Sequence, residues 1–257
     1  MSLLELKEVT KSFGGLLALS QVSAAIQMGE IVGLIGPNGA GKTTLFNVIS
    51  GFYKPSAGKI YFKDKDITPL KPFDVTARGL TRTYQESNLF HDFSVEKNII
   101  IGCHIHPRMG FFEQLLRLSS IQKKESRIQE KVEEILDLLE INSLRDELAK
   151  NLSHGHQRTL GVAIALATEP DLLLLDEPFS GMNAEETRAM MAHILRIHKE
   201  KKLTILLVEH DMKAVAGLCS RVIVLNFGQK IAEGSPEEVM KNKAVIDAYL
   251  GVDKDVV

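Results

Sequence analysis

The sequence predicts an α/β fold with a helical segment set into its middle, and three stretches carry that reading. Residues 30–36 (EIVGLIG) form an apolar, β-branched run that enters the glycine-rich GPNGAGKT at 36–43, after which TTLFNVIS takes up helical spacing. Residues 172–175 are an unbroken leucine run ended by Asp176 and Glu177, the pattern of a parallel strand covered on both faces. Between these two, residues 87–170 change character and carry a helical apolar stripe inside KKESRIQEKVEEILDLLE.

Taken in order, residues 1–35 read as strands. Leu4, Leu6 and Val9, then Val22, Ala24 and Ile26, recur near period two, with Gly14-Gly15 and Gly29 as punctuation. After the glycine loop, Leu45, Val48 and Ile49 share one helix face. KIYFKDKDI at 59–67 reads as a further strand, after breaks at Pro55 and Gly58. Ile128, Val132, Ile135, Leu136 and Leu139 make the stripe of the middle helix, so it is expected to pack rather than to serve as a solvated linker. From 171 the α/β rhythm returns with the acid-tipped strand, a helix near 184–200 and the strand LTILLVE. RVIVLNFG and QKIAEG then predict a closing hairpin around Gly228.

The 257 residues suffice for one large α/β domain or two small ones, with 44% hydrophobic and 25% charged residues, an ordinary globular balance. A net charge of −2 gives no ground for a nucleic-acid partner. Cys103 and Cys219 lie far apart in sequence, so no disulfide framework is expected and a reducing compartment fits. No apolar run reaches the length of a membrane span, and MSLLELKEVTK lacks the features of a secretory signal. A soluble or peripheral protein is expected.

Gly36, Gly41, Lys42 and Thr43 satisfy G-x-x-x-x-G-K-[ST]. A strand before the loop and a helix after it turn a glycine-rich turn into a phosphate site. Glycines let backbone N–H groups close round the phosphates, and the helix N-terminus adds its dipole. The expected nucleotide site is therefore Gly36, Pro37, Asn38, Gly39, Ala40, Gly41, Lys42, Thr43 and Thr44. Lys42 is expected to bridge the β- and γ-phosphates, and the Thr43 hydroxyl to ligate Mg²⁺. At the acid-tipped strand end, one carboxylate can hold Mg²⁺ through water and the next can orient and deprotonate an attacking water.

Six motifs stand in a fixed order: the loop at 36–43, Gln85, LSHGH at 152–156, the acid strand at 172–177, the turn SGMN at 180–183, and His210. With them the chain resembles the ATP-binding subunit of ABC transporters over nearly its whole length. KSFGGLLAL (11–19), GLTRTYQ (79–85), Leu89-Phe90, EPFSGMNAEET (177–187), LLVEHDM (206–212) and VIDAYLG (245–251) look like the high-affinity branched-chain amino-acid importer branch, in which urea and short-chain amide importers also lie. The resemblance implies a P-loop NTPase (RecA-like) core with an N-terminal antiparallel β-subdomain and an inserted α-helical subdomain. The division would be 1–86 and 171–257 for the core with its β-subdomain, and 87–170 for the helical part, in a single ATP-binding domain.

The same resemblance implies roles. Phe13 would stack on adenine. Gln85 would touch Mg²⁺ and the attacking water, joining Thr43 and Asp176 as the metal set. Glu177 would be the general base and His210 would contact the γ-phosphate. Ser153 and Gly155 would contact the γ-phosphate held by another copy, so ATP would lie between two subunits, with Mg²⁺. The implied partners are a second ABC ATPase subunit (identical or paralogous), two integral-membrane permease subunits and, indirectly, an extracytoplasmic solute-binding protein. No nucleic-acid partner is implied. The implied place is peripheral, on the cytoplasmic face of the inner membrane, and the implied cargo is branched-chain or related amino acids.

Several positions depart from the family pattern. His154 and His156 stand in the signature where the family usually has glycine and glutamine, Ile164 where arginine is usual, and Asn183 where many relatives have aspartate. Ser87 to Met109, with exposed-looking Leu89, Phe90 and Phe93, is the expected permease dock. Two alternatives remain open: a nucleotide-gated regulator with weak hydrolysis, suggested by His156 and Ile164, and a soluble non-transport ABC ATPase. The latter usually carries two ATP modules or a long coiled-coil insertion, and this sequence shows neither.

Overall fold

The computed structural model describes residues 2–83, 89–104 and 121–250. Gln85 and parts of the expected permease dock (87–88 and 105–109) lie outside the described residues.

The chain opens with the hairpin β1 (Ser2–Phe13) and β2 (Leu16–Gln27), turned at Gly14-Gly15. Leu6 and Val9 are both buried although three residues apart. Register shifts between them, with Glu8 at φ +48, form a bulge that returns Val9 to the core face. β3 (Ile31–Ile35) is buried throughout and feeds the glycine loop, after which α1 (Lys42–Ile49) starts.

The stretch 59–67 is not one strand. β4 (Ala57–Phe62) turns at Lys63-Asp64 into β5 (Lys65–Asp66), with φ of +50 and +59 at the two turn residues. Both positions are left-handed, the geometry of a two-residue hairpin, reached here without glycine. β2, β1, β4 and β5, in that order, form an antiparallel four-stranded sheet.

A short helix α2 (Pro72–Thr76) leads to β6 (Leu80–Arg82). Then come α3 (Val95–Cys103), α4 (Ile121–Leu138) and α5 (His154–Ala167), which pack on one another. In α4 the sequence stripe is the packed face: Val132, Ile135 and Leu136 are buried, as is Leu139 just beyond. Leu89 corrects the sequence expectation, since it is buried at 8% exposure and belongs to this core, whereas Phe90 and Phe93 are exposed and stack at 5.6 Å. An apolar residue beside exposed aromatics gives no local signal of which side it faces.

The remaining elements are β7 (Leu172–Asp176), α6 (Ala184–Lys201), β8 (Thr204–Val208), α7 (Met212–Leu218), β9 (Arg221–Asn226), β10 (Gln229–Gly234), α8 (Pro236–Lys241) and α9 (Lys243–Leu250). The large sheet runs β10-β9-β3-β8-β7-β6, parallel except for the β9–β10 hairpin. Its inner strands β3, β7, β8 and β9 are buried on both faces, while the edge strand β10 is not. Leu173, Leu175, Ile205 and Leu207 join the core shared with the helices, while Leu172, Leu174, Leu206 and Val208 join the core under the antiparallel sheet. This double burial is why those strands read as continuous leucine, isoleucine and valine rather than as alternation.

Candidate functional site

The carboxyl ends of the parallel strands carry a cleft of about 440 Å³, where open α/β sheets place their ligands. Asn38, Gly39, Ala40, Gly41, Lys42, Thr43 and Thr44 line it, as do Phe13, Leu16, Leu17, Ala18, Glu177, His210, Phe227 and Gly228. Gly36 and Pro37 are outside that lining and enter through their carbonyls instead.

Two glycines of the loop are dictated by space. A Cβ on Gly36, at φ +153, would lie 2.1 Å from the Leu225 carbonyl oxygen, and one on Gly41, at φ +102, 2.8 Å from that of Ala18. The loop can therefore press between β9 and β2 only as bare backbone. No side chain caps α1, so the positive end of its dipole and its first-turn N–H groups are available to an anion. Lys42 Nζ donates to the carbonyls of Gly36 at 2.7 Å and Pro37 at 3.0 Å. Burial pushes its pKa down, against the pull of Glu177 and Asp176. A partly desolvated cation on a carbonyl-rich loop fits a polyanionic ligand.

On the acid side, Asp176 ends β7 and is 3% exposed. Its Oδ2 accepts from Arg82 Nη2 at 2.6 Å, while its Oδ1 is buried without a hydrogen-bond partner. Arg82 also donates to Asn47 Oδ1 on α1 at 2.6 Å and lies 5.5 Å over the Phe46 ring. Glu177 leaves the strand at φ +47, with its N–H donating to the Val208 carbonyl at 3.0 Å. Its Oε1 is 2.8 Å from His210 Nε2, so the structure brings the expected base and the expected histidine together.

Glu209 holds this pair in place. Buried at 5% exposure, it accepts from the Phe179 N–H and the His210 N–H, both at 3.0 Å, and burial pushes its carboxyl pKa up. It thus fastens the turn after β7 to the turn after β8. Arg158 on α5 lies within the field of Glu177, Asp176 and Glu209, which oppose the lowering of its pKa by burial. Arg82, Asn47, Glu209 and Arg158 were not singled out in the sequence. Arg82, Asn47 and Glu209 work through contacts far away along the chain and Arg158 through the field of distant acids, and none has a spacing that marks it.

Ser153 and Gly155 do not reach this cleft. Ser153 caps α5 by accepting from the His156 N–H at 3.2 Å, with His156 Nδ1 also 3.2 Å from its hydroxyl. Gly155 has no room for a side chain, because a Cβ would lie 2.5 Å from Glu186 Oε1. The signature turn is braced against the start of α6 and leaves Ser153 exposed. Asn183 caps α6 in a full capping box with Glu186. Asn and Asp are equally good caps, so this departure leaves the local fold intact. Phe13 lines the cleft, is 41% exposed, and meets Tyr53 edge-on at 5.2 Å.

Residues 19–180 match a family model described as ABC transporter, and residues 229–255 match one described as Branched-chain amino acid ATP-binding cassette transporter. The chain is 39% identical to the high-affinity branched-chain amino acid transport ATP-binding protein LivG of Escherichia coli (strain K12), over 97% of this chain and 98% of that one. It is 36% identical to the corresponding protein BraF of Pseudomonas aeruginosa, with the same shares covered, 97% and 98%. Among solved structures, an ATP-binding cassette of an ABC transporter in its ADP conformation superposes with a TM-score of 0.84 at 33% identity, over 98% of this chain and 99% of that one. A dimeric bacterial ABC transporter cassette gives 0.76 at 26% identity, over 91% and 98%.

Proposed function

The chain belongs to the ABC transporter family, whose ATP-binding subunits hydrolyse ATP to drive transport, and from that premise we propose that its cleft takes ATP with Mg²⁺, that Glu177 activates the attacking water, and that the work is import of branched-chain or related amino acids. The observation that carries the mechanism is the 2.8 Å contact between Glu177 and His210 in the cleft that also contains Lys42.

The loop N–H groups and Lys42 bind the phosphates. Glu177 takes the proton of the attacking water, and His210 holds the Glu177 carboxylate and contacts the γ-phosphate. Phe13 stacks on the base. The donors fit Mg²⁺, since the unpartnered buried Oδ1 of Asp176 and the Thr43 hydroxyl are hard oxygens and Mg²⁺ keeps most of its waters. Thr43, Asp176 through water and Gln85 would hold the ion, which would offset phosphate charge.

Ser153 and Gly155 stand outside their own cleft, which supports a second ATPase subunit, identical or paralogous, that presents its signature to this ATP. The relatives' names speak of branched-chain amino acid transport, and for that work we assign two permease subunits, an extracytoplasmic binding protein and a peripheral place on the cytoplasmic face of the inner membrane. No helix among the described residues is long and apolar enough to cross a membrane. We assign the helical subdomain to 87–170 and the rest of the chain to the core with its β-subdomain.

The test is nucleotide binding and phosphate release in Lys42→Ala and Glu177→Gln. Lys42→Ala is expected to lose ATP binding. Glu177→Gln is expected to keep binding and to lose turnover by about 10²–10⁴-fold. Parental turnover in Glu177→Gln would remove the base assignment. A parent that binds ATP without releasing phosphate would favour a nucleotide-gated regulator.

A further inference from the structure

The cleft lining joins two kinds of surface: Lys42, Glu177 and His210 are polar or charged, while Phe13, Leu16, Leu17 and Phe227 are apolar. Among the described residues Phe227 is the most exposed large hydrophobic side chain, at 83%.

Its backbone is unfavourable as well. Phe227 and Gly228 are the two turn residues between β9 and β10, with φ of +44 and +75. Such a turn selects Asn-Gly or Asp-Gly, and a bulky side chain in the left-handed region is an outlier. Phenylalanine here costs the fold in two ways, through backbone strain and through apolar area left in water. The turn is rigidly mounted all the same. The Gly228 N–H donates to the Ala40 carbonyl at 3.0 Å, and the Ser20 N–H donates to the Gly228 carbonyl at 2.8 Å. One turn is thereby fastened to the glycine loop and to β2, and it carries an aromatic ring of the cleft lining.

We infer that Phe227 is a second aromatic wall for the nucleobase, in the same cleft as Phe13. With a triphosphate seated on the glycine loop, the apolar lining is left to the nucleoside, whose flat base is the part that gains from an aromatic surface. Covering the ring offsets its exposure, and the strain persists because the ligand selects for the ring. The inference rests on the reading that this cleft binds ATP.

The test uses the full chain with ADP and, separately, inorganic tripolyphosphate, which has the charge but no base. Binding is measured by calorimetry for the parent, Phe13→Ala, Phe227→Ala and Phe227→Asn. ADP lacks the γ-phosphate, so subunit pairing does not enter. Both Phe227 variants are expected to weaken ADP by about fivefold or more and to leave tripolyphosphate unchanged. Phe227→Asn restores the preferred turn pair, so it is expected to melt at or above the parent temperature, by up to about 2–4 °C. A purely structural residue would not move binding down and stability up together. ADP affinity within about twofold of the parent, or an equal fall for tripolyphosphate, would overturn the inference. Unchanged ADP binding with weaker ATP-driven pairing in a Glu177→Gln background would give the ring to the partner subunit and overturn it too. A parent that binds no ADP would overturn the ATP reading itself, and this inference with it.

Discussion

Replacing Arg82 by methionine tests how the acid side of the site is built. The Arg82 and Asp176 side chains are 5% and 3% exposed and 2.6 Å apart. Methionine keeps an apolar stem against Phe46 and removes the charge. Asp176 then has neither oxygen paired, since Oδ1 already lacks a partner, and Asn47 Oδ1 loses its donor. Hydrogen bonds to charged groups contribute about 1.5–3 kcal/mol each, and removing one partner of a buried pair costs about 3–5 kcal/mol, so we expect a loss in that latter range. At an unfolding entropy of about 2 cal/mol/K per residue, a chain of this size loses roughly 6–9 °C in Tm. Urea unfolding and calorimetry read both quantities. The double variant Arg82→Met/Asp176→Leu removes the stranded carboxylate and is expected to recover most of the loss. A single variant within about 1 kcal/mol of the parent, or a double variant no better than the single, would refute the reasoning.

Other tests reach the core and the cap of α6. Burial pushes the Cys219 thiol from 9.0 up to about 12; a folded pKa above the unfolded one contributes stability that is complete below pH 9 and lost as pH rises towards 12. Cys219→Ala is expected to flatten that part of the alkaline decline in unfolding free energy, and parallel curves for parent and variant would count against it. Asn183 accepts from the N–H groups of Glu185 at 2.9 Å and Glu186 at 3.0 Å. Asn183→Ala is expected to lose about 1 kcal/mol in urea unfolding while Asn183→Asp stays level with the parent; equal losses would remove the cap from the account.

Those parts of the fold and site with local causes were legible in the sequence. Gly36 and Gly41 announce the loop because only glycine fits against Leu225 and Ala18, and that need shows as spacing. The leucine run announces β7 because both its faces are covered. The α4 stripe announces a packed helix for the same reason. His210 and Ser153 were legible only through resemblance, since a lone histidine or serine says nothing by itself. Lys63-Asp64 was missed because a left-handed turn without glycine leaves no mark. The ion pair of Arg82 with Asp176 spans 94 positions and Glu209 reaches back 30 to Phe179. Such contacts are created by strand pairing, and no window of sequence contains them.

That pairing also explains why the functional groups converge. In the parallel register, Leu34 of β3 and Asp176 of β7 both stand opposite Val208 of β8. One level row therefore crosses three strands, and each strand delivers its chemistry just beyond it. β3 gives Gly36 and the loop, β7 gives Glu177, and β8 gives Glu209 and His210. The Glu177 N–H on the Val208 carbonyl continues the ladder by one more bond and fixes where the Glu177 side chain departs. On the far side of β3, Leu34 pairs with Ile223, and β9 runs three residues further, to Asn226, before it turns at Phe227-Gly228 onto the loop. A slip of one residue in any of these strands would send its buried leucines and valines to the opposite face. Because both faces are buried against different cores, that slip is strongly disfavoured. The packing that hides the strands thus also sets the spacing between Glu177 and His210. The geometry of the site is held by the hydrophobic register of the sheet, with Glu209 and Arg82 as polar fastenings at its edge.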